Sequence, residues 1–161
     1  MLFRSDQFAM GQGFDRAGGI RGFQIASPSI VGLRCVQAGF GMIERAGMRA
    51  VRAKSEAGTA MMVALHDAWL APLGFSLTTP RAPARRGGHV TLRHPEARTI
   101  AAAMREMIRV IPDFREPDSI RLAMSPLATS YVEVWDGFAR LRDLVSSGRH
   151  RTAAPASSRV T

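Results

Sequence analysis

An α+β fold is predicted for this chain: two long helices, then a β-β-α-β-β-α unit whose helices pack on a mostly antiparallel sheet. Three observations predict it. Apolar residues recur at three- and four-residue steps from Leu33 to Trp69, the period of helices with one buried face. From Phe75 onward short alternating runs, bounded by proline and glycine, take over. Between two pairs of these runs sits one more helical stripe, so helices covering one face of a small sheet is the economical packing. The 161 residues suffice for one ordinary domain or a piece of a larger one.

The elements follow in order. Residues 1–26 are polar and glycine-rich and read as an extended entry segment, ending in a short extended run from Gly22 to Ala26. Ser27-Pro28 reads as a helix start, because serine caps free N–H groups and proline at the first helical position loses no hydrogen bond. Leu33, Val36, Phe40 and Ile43 make that helix's stripe, and Gly47 breaks it. A second helix runs from about Met48 to Trp69, closed by Pro72 and Gly74, with small residues (Ser55, Gly58) in the middle of its stripe. Strands are expected at Phe75 to Thr79 and His89 to Arg93. Pro95-Glu96 opens a helix carrying Ile100, Met104, Met107 and Ile108 on one side. Val110 to Phe114 and Ile120 to Met124 are extended around the turn Glu116-Pro117-Asp118. Val134, Phe138, Leu141 and Val145 mark a terminal helix, and residues 147–161 read as a disordered tail.

Composition excludes several classes. The apolar fraction of 46% belongs to a folded core rather than a disordered chain. No apolar run approaches bilayer length and MLFRSDQFAM is no secretory leader, so a cytoplasmic address without membrane contact is expected. The single cysteine, Cys35, excludes an internal disulfide and reads as a buried small hydrophobe. The net charge of +9 invites a nucleic-acid reading, but 21 of the 22 basic residues are arginines scattered along the chain. Few aromatic residues interleave with them, so the pattern argues against nucleic acid. Arg81, Arg85 and Arg86 read as a solvated loop.

Few residues are placed for chemistry. Arg121 begins an extended run after an acid-rich turn, and its planar fork of donors suits a carboxylate. The competing reading is an ion pair with Asp113, Glu116 or Asp118. His89 and His94 fall on opposite faces of a strand and cannot jointly bind a metal. His66 and Asp67 are adjacent on a helix, so their side chains should diverge. His150, in the tail, has no evident role, and Lys54, the only lysine, reads as a surface helix residue. Phosphate loops, Cys-x-x-Cys pairs and nucleophile elbows are absent from the sequence.

Four strings in order resemble the C-terminal part of kynureninase, a pyridoxal-phosphate enzyme of the type I (aspartate aminotransferase) fold: QFAMGQGFDRAGGIRGFQIASPSI, GMRAVRAKS, ARRGGHVTLRHPEA and DFREPDSIRLAMSPLATSYVEVWD. The resemblance implies a kynureninase-like C-terminal domain over 27–146. It implies hydrolysis of L-kynurenine to anthranilate and L-alanine, with pyridoxal 5'-phosphate as electron sink. It further implies that Arg121 grips the substrate α-carboxylate, that Ser27 lines the cofactor and substrate pocket, and that the protein works as a homodimer. The family's Schiff-base lysine and the aspartate facing the pyridine nitrogen belong to a large domain that nothing here matches, so a missing large-domain partner is expected and the chain alone should be inactive. The chain departs from the family pattern at Ala26, Pro112 and Ala128. Two alternatives stay open: another type I enzyme, of the class V aminotransferase or cysteine-desulfurase kind, and a non-catalytic binding or structural module.

Overall fold

The computed structural model describes residues 12–13, 15–24 and 27–152, and the chain divides into two compact units, Met1–Arg45 and Ala46–Thr161. In the first unit, Gly19–Phe23 forms a 3-10 turn where an extended run was expected; Ile25 and Ala26 lie outside the described residues. Arg16 closes this turn, donating from Nε to the Gly22 carbonyl at 3.1 Å and stacking its guanidinium over the Phe23 ring. Helix α1 spans Ile30–Ala46. Its cap is Ser29 rather than Ser27, because the Ser29 hydroxyl accepts from Gly32 N–H at 3.1 Å. The predicted stripe is present but uncovered: Leu33, Val36 and Phe40 are exposed and none of the α1 residues is buried. Cys35 on this helix is exposed as well, against the expectation of burial. Amphipathic spacing reports that a helix has a face to bury and is silent on whether its partner lies in the same unit.

The second unit holds the core. Gly47, at φ 77°, takes a backbone conformation that only glycine adopts readily, which separates α1 from helix α2 at Met48–Leu65. The chain then makes a π-helical turn, His66–Leu70, and a 3-10 turn, Ala71–Leu73, before Gly74 in the left-handed region redirects it. Strand β1 (Ser76–Leu77), strand β2 (His89–Arg93), helix α3 (Ala97–Ile108), strands β3 (Asp113–Arg115) and β4 (Ser119–Ala123) and helix α4 (Tyr131–Ser146) follow, the predicted series in the predicted order. The sheet order is β1-β2-β4-β3 and every pairing is antiparallel.

Alternation along β2 and β4 sorts residues between the two sheet faces. Val90, Leu92, Ile120 and Leu122 are buried with Met62 and Leu65 of α2, Ile100 and Met104 of α3, and Val134, Phe138, Leu141 and Leu144 of α4. Helix α4 starts at a capping box in which the Ser130 hydroxyl accepts from Glu133 N–H and the Glu133 carboxylate accepts from Ser130 N–H. Within the expected tail, 153–161 lie outside the described residues, while Arg149–Thr152 is a 3-10 turn and His150 is buried. The reason is a docking partner far away in sequence. Glu96, at the start of α3, pairs bidentately with Arg151 at 2.9 Å and lies 3.3 Å from His150 Nε2.

That clamp makes stability depend on pH. Arg151, and then His150, hold the Glu96 carboxyl down at about 2 from an ordinary 4.5. A carboxylate with a depressed folded pKa contributes stability above its unfolded pKa and loses it as pH falls toward the folded one. Wild type should therefore exceed Glu96→Gln in stability above about pH 5, and the gap should close as acid is added. Urea unfolding across this range checks it; a gap that does not vary with pH would show that the clamp is not electrostatic.

Candidate functional site

The sheet face turned away from the helices carries the polar half of the alternation. Across it, Thr91 of β2 pairs with Arg121 of β4, and Arg121 pairs with Asp113 of β3, giving a transverse row on one face. The next row is Arg93, Ser119 and Arg115. His89 stands opposite Ala123, diagonal to Arg121. Arg121 is half-buried, and its Nη2 donates to Asp113 Oδ2. The same oxygen accepts from Arg115 Nε at 3.0 Å and lies 2.9 Å from Arg115 Nη2. Partial burial pushes the Asp113 carboxyl up, but Arg115 and Arg121 together outweigh it and hold the carboxyl below the usual aspartate range. The other two candidate partners are taken elsewhere: Glu116 pairs with Arg98, and Asp118 pairs bidentately with Arg93. Arg121 Nε and Nη1 make no hydrogen bond to any described residue.

The other singled-out side chains are spoken for in structural ways. His66 and Asp67 do meet, with Nδ1 2.9 Å from Oδ1, against the expectation that neighbours on a helix diverge. The helix leaves α geometry at that step for a π turn, and Asp67 folds back to take a fork from Arg81 at 2.7 and 2.8 Å. His66 is buried and its Nε2 lies 3.2 Å from the Phe75 carbonyl, so the pair ties the end of α2 to the entry of β1. His94 accepts from Glu96 N–H at Nδ1 and sets Nε2 against the Leu73 carbonyl, stacked on Phe75. Burial lowers its pKa. His89 and His94 do not converge, and no group of three metal-ligating side chains occurs among the described residues.

Arg86, expected in a solvated loop, is buried instead. It is 5% exposed, donates from Nε to Thr59 Oγ1 at 2.9 Å, and from Nη1 to the carbonyls of Arg81 and Pro80 at 2.6 and 3.3 Å. Arg81 likewise belongs to an ion pair, so the loop 80–86 is a braced structure and not a freely solvated one. The one signal in the sequence was position: Arg86 immediately precedes the glycine pair that leads into the buried strand β2.

Ser27 belongs to the first unit, where it is exposed and precedes the α1 cap. Lys54 is half-buried on α2, in the helical layer, where its charge reaches Glu133 at the α4 cap. Arg121 is on the opposite face of the sheet.

A four-stranded antiparallel sheet backed by helices on one face, with Arg121, Asp113 and Arg115 on the other, defines a small α+β domain. Residues 51–141 match the family model described as the kynureninase C-terminal domain, and the chain belongs to that family. It is 33% identical to the kynureninase of Pseudomonas fluorescens over 141 residues, which cover 88% of this chain and 34% of that protein. It is 36% identical over 141 residues to kynureninases of Burkholderia mallei strain SAVP1 and Burkholderia pseudomallei strain K96243, covering 87% of this chain and 33% of each. The chain thus spans about a third of the length of these relatives.

The family depends on pyridoxal phosphate, and the described residues do not by themselves fit that cofactor. Its aldehyde needs a lysine, and Lys54 lies across the sheet from Arg121. No helix among the described residues is long and apolar enough to cross a membrane.

Proposed function

We propose that this chain supplies the carboxylate-anchoring part of a kynureninase active site, for the hydrolysis of L-kynurenine to anthranilate and L-alanine. The observation that carries the reading is Arg121: on the open sheet face, half-buried, with Nε and Nη1 unclaimed by any described residue. Nε and Nη1 lie on separate edges of the guanidinium and both two-point edges include Nη2, so an incoming carboxylate takes the planar fork that selects it over a spherical anion by drawing Nη2 from Asp113. Ser27 would line the cofactor and substrate pocket, within a domain over 27–146. The lysine that holds pyridoxal phosphate would come from a large domain in a homodimeric, cytoplasmic assembly, and residues 1–161 alone would not turn over substrate.

Titration of the purified chain with L-kynurenine, followed by calorimetry and by NMR, tests the anchor. Arg121→Ala should weaken binding roughly tenfold to a hundredfold, the range for a charge-assisted hydrogen-bonded pair. Equal affinity in both proteins would remove Arg121 from the site, and no binding in either would favour a structural module. Added pyridoxal phosphate should give no lysine-linked absorbance band; a stable band abolished by Lys54→Ala would refute the division of labour.

A further inference from the structure

Arg121 already holds a carboxylate, and that one is built into the neighbouring strand. Asp113 is its cross-strand partner in the β3–β4 ladder, so both side chains emerge on the open face at the distance where opposite charges attract. All of the contacts made by Asp113 converge on Oδ2, which takes Arg121 Nη2 from one side and Arg115 Nε and Nη2 from the other. The hold is therefore unequal: a two-point grip by Arg115 and a single contact by Arg121.

We infer that Asp113 is an internal counter-carboxylate that sets the affinity of Arg121 for an incoming carboxylate, and that ligand binding passes Asp113 wholly to Arg115. The inference rests on the anchoring reading of Arg121. Two carboxylates cannot share one guanidinium without repelling, so the ligand competes with Asp113 for the same positive charge. What keeps that competition shallow is Arg115, which retains Asp113 after Arg121 lets go. Arg115, Asp113 and Arg121 together carry one net positive charge, enough to draw a monoanion but not to bind it indiscriminately. Asp113 thus acts through Arg121, as a positioning residue that tunes selectivity on the open face.

The experiment uses the full 161-residue chain, L-kynurenine as probe and 15N NMR detection of the Arg121 Nε–H group. Asp113→Asn should bind about threefold more tightly than wild type, the scale of an exposed ion pair, and the gain should shrink in high salt. In the unliganded variant the Arg121 Nε–H signal should move, while Asp113→Glu should restore both affinity and signal. Arg115→Gln, at an exposed position, should weaken binding, since Asp113 is left to Arg121 alone. A purely structural Asp113 would give weaker binding on substitution, never tighter. If Asp113→Asn binds as wild type does or more weakly while Arg121→Ala has lost affinity, the anchor stands and the counter-carboxylate is wrong. If wild type shows no binding that Arg121→Ala removes, the anchor itself fails and this inference goes with it.

Discussion

Replacing Arg86 with methionine is expected to cost about 3 kcal/mol of stability, with a melting temperature lower by about 10 °C. Methionine keeps most of the aliphatic stem, so packing changes little; the loss is in donors. Thr59, 1% exposed, would forfeit the hydrogen bond from Nε, with its own hydroxyl proton already committed to the carbonyls of Ser55 and Glu56. The carbonyls of Pro80 and Arg81 would lose Nη1, although both residues lie at the exposed loop and can turn to water. A contrary effect exists, since removing a buried charge relieves its desolvation and well-packed apolar replacements are sometimes neutral. It does not win here, because only one side of each hydrogen bond is deleted and a buried acceptor is left unpaired. Two comparisons isolate the cause. Arg86→Lys should rescue little, because one ammonium cannot reach the hydroxyl and the two carbonyls in the arginine's geometry. Arg86→Met combined with Thr59→Val should cost less than the sum of the two single changes. Urea unfolding measures all four proteins, and a loss under about 1 kcal/mol in Arg86→Met would show that the loop refolds around the substitution.

Gly58→Val is expected to destabilise by a similar amount, about 3 kcal/mol, for the opposite physical reason. Helix propensity alone argues for a side chain here, since glycine in the middle of α2 costs about 1 kcal/mol relative to alanine. Packing reverses that preference. A β-carbon on Gly58 would stand 1.9 Å from Met124 Sδ and 3.1 Å from its Cε, closer than van der Waals contact with either atom. Met124 is 4% exposed, so its thioether has little free space into which to retreat. The contact is what lets α2 approach the sheet just beyond β4; Ser55, one turn earlier, lies beside Gly88, where an added β-carbon would meet its Oγ at an ordinary 3.4 Å. The diagnostic is a double-mutant cycle. Met124→Ala alone should cost about 2–3 kcal/mol as a cavity, whereas in the Gly58→Val background it should cost much less or stabilise. Additive losses would mean that valine at position 58 is harmful for its backbone and not for this contact.

Much of the second unit was legible in the sequence. Strand β2 begins at His89 and ends at Arg93 as its alternation predicts, and α3 and α4 present the stripes read from Ile100, Met104, Val134, Phe138 and Leu141. The errors are of two kinds, one local and two decided by distant contacts. Ser27 looked like a cap because it precedes proline, but Ser29 sits one residue before the first helical turn and its hydroxyl reaches Gly32. The residues after Ser146 looked like a tail because they carry no period, yet His150 is buried through contacts more than fifty positions away at Glu96. Arg86 looked solvated because charged residues in loops usually are, and only the approach of Thr59 explains its burial. The candidate site divides in the same way. Arg121 was visible as an extended, turn-flanked arginine, and its kinship with kynureninase rests on motifs spread along the chain.

By itself, then, the sequence determined what is local or repeated in pattern: the order of elements, the apolar stripe of each helix, and the family. Periodicity and turn chemistry act over a few residues, and they need no knowledge of what comes next. The tertiary structure alone decided which distant groups meet: Arg86 on Thr59, His150 on Glu96, Gly58 under Met124, and Asp113 rather than Glu116 or Asp118 on Arg121. Three acids were within reach of Arg121 in sequence, and strand register chose among them, because antiparallel pairing sets Asp113 directly across from it while Asp118 and Glu116 fall to Arg93 and Arg98.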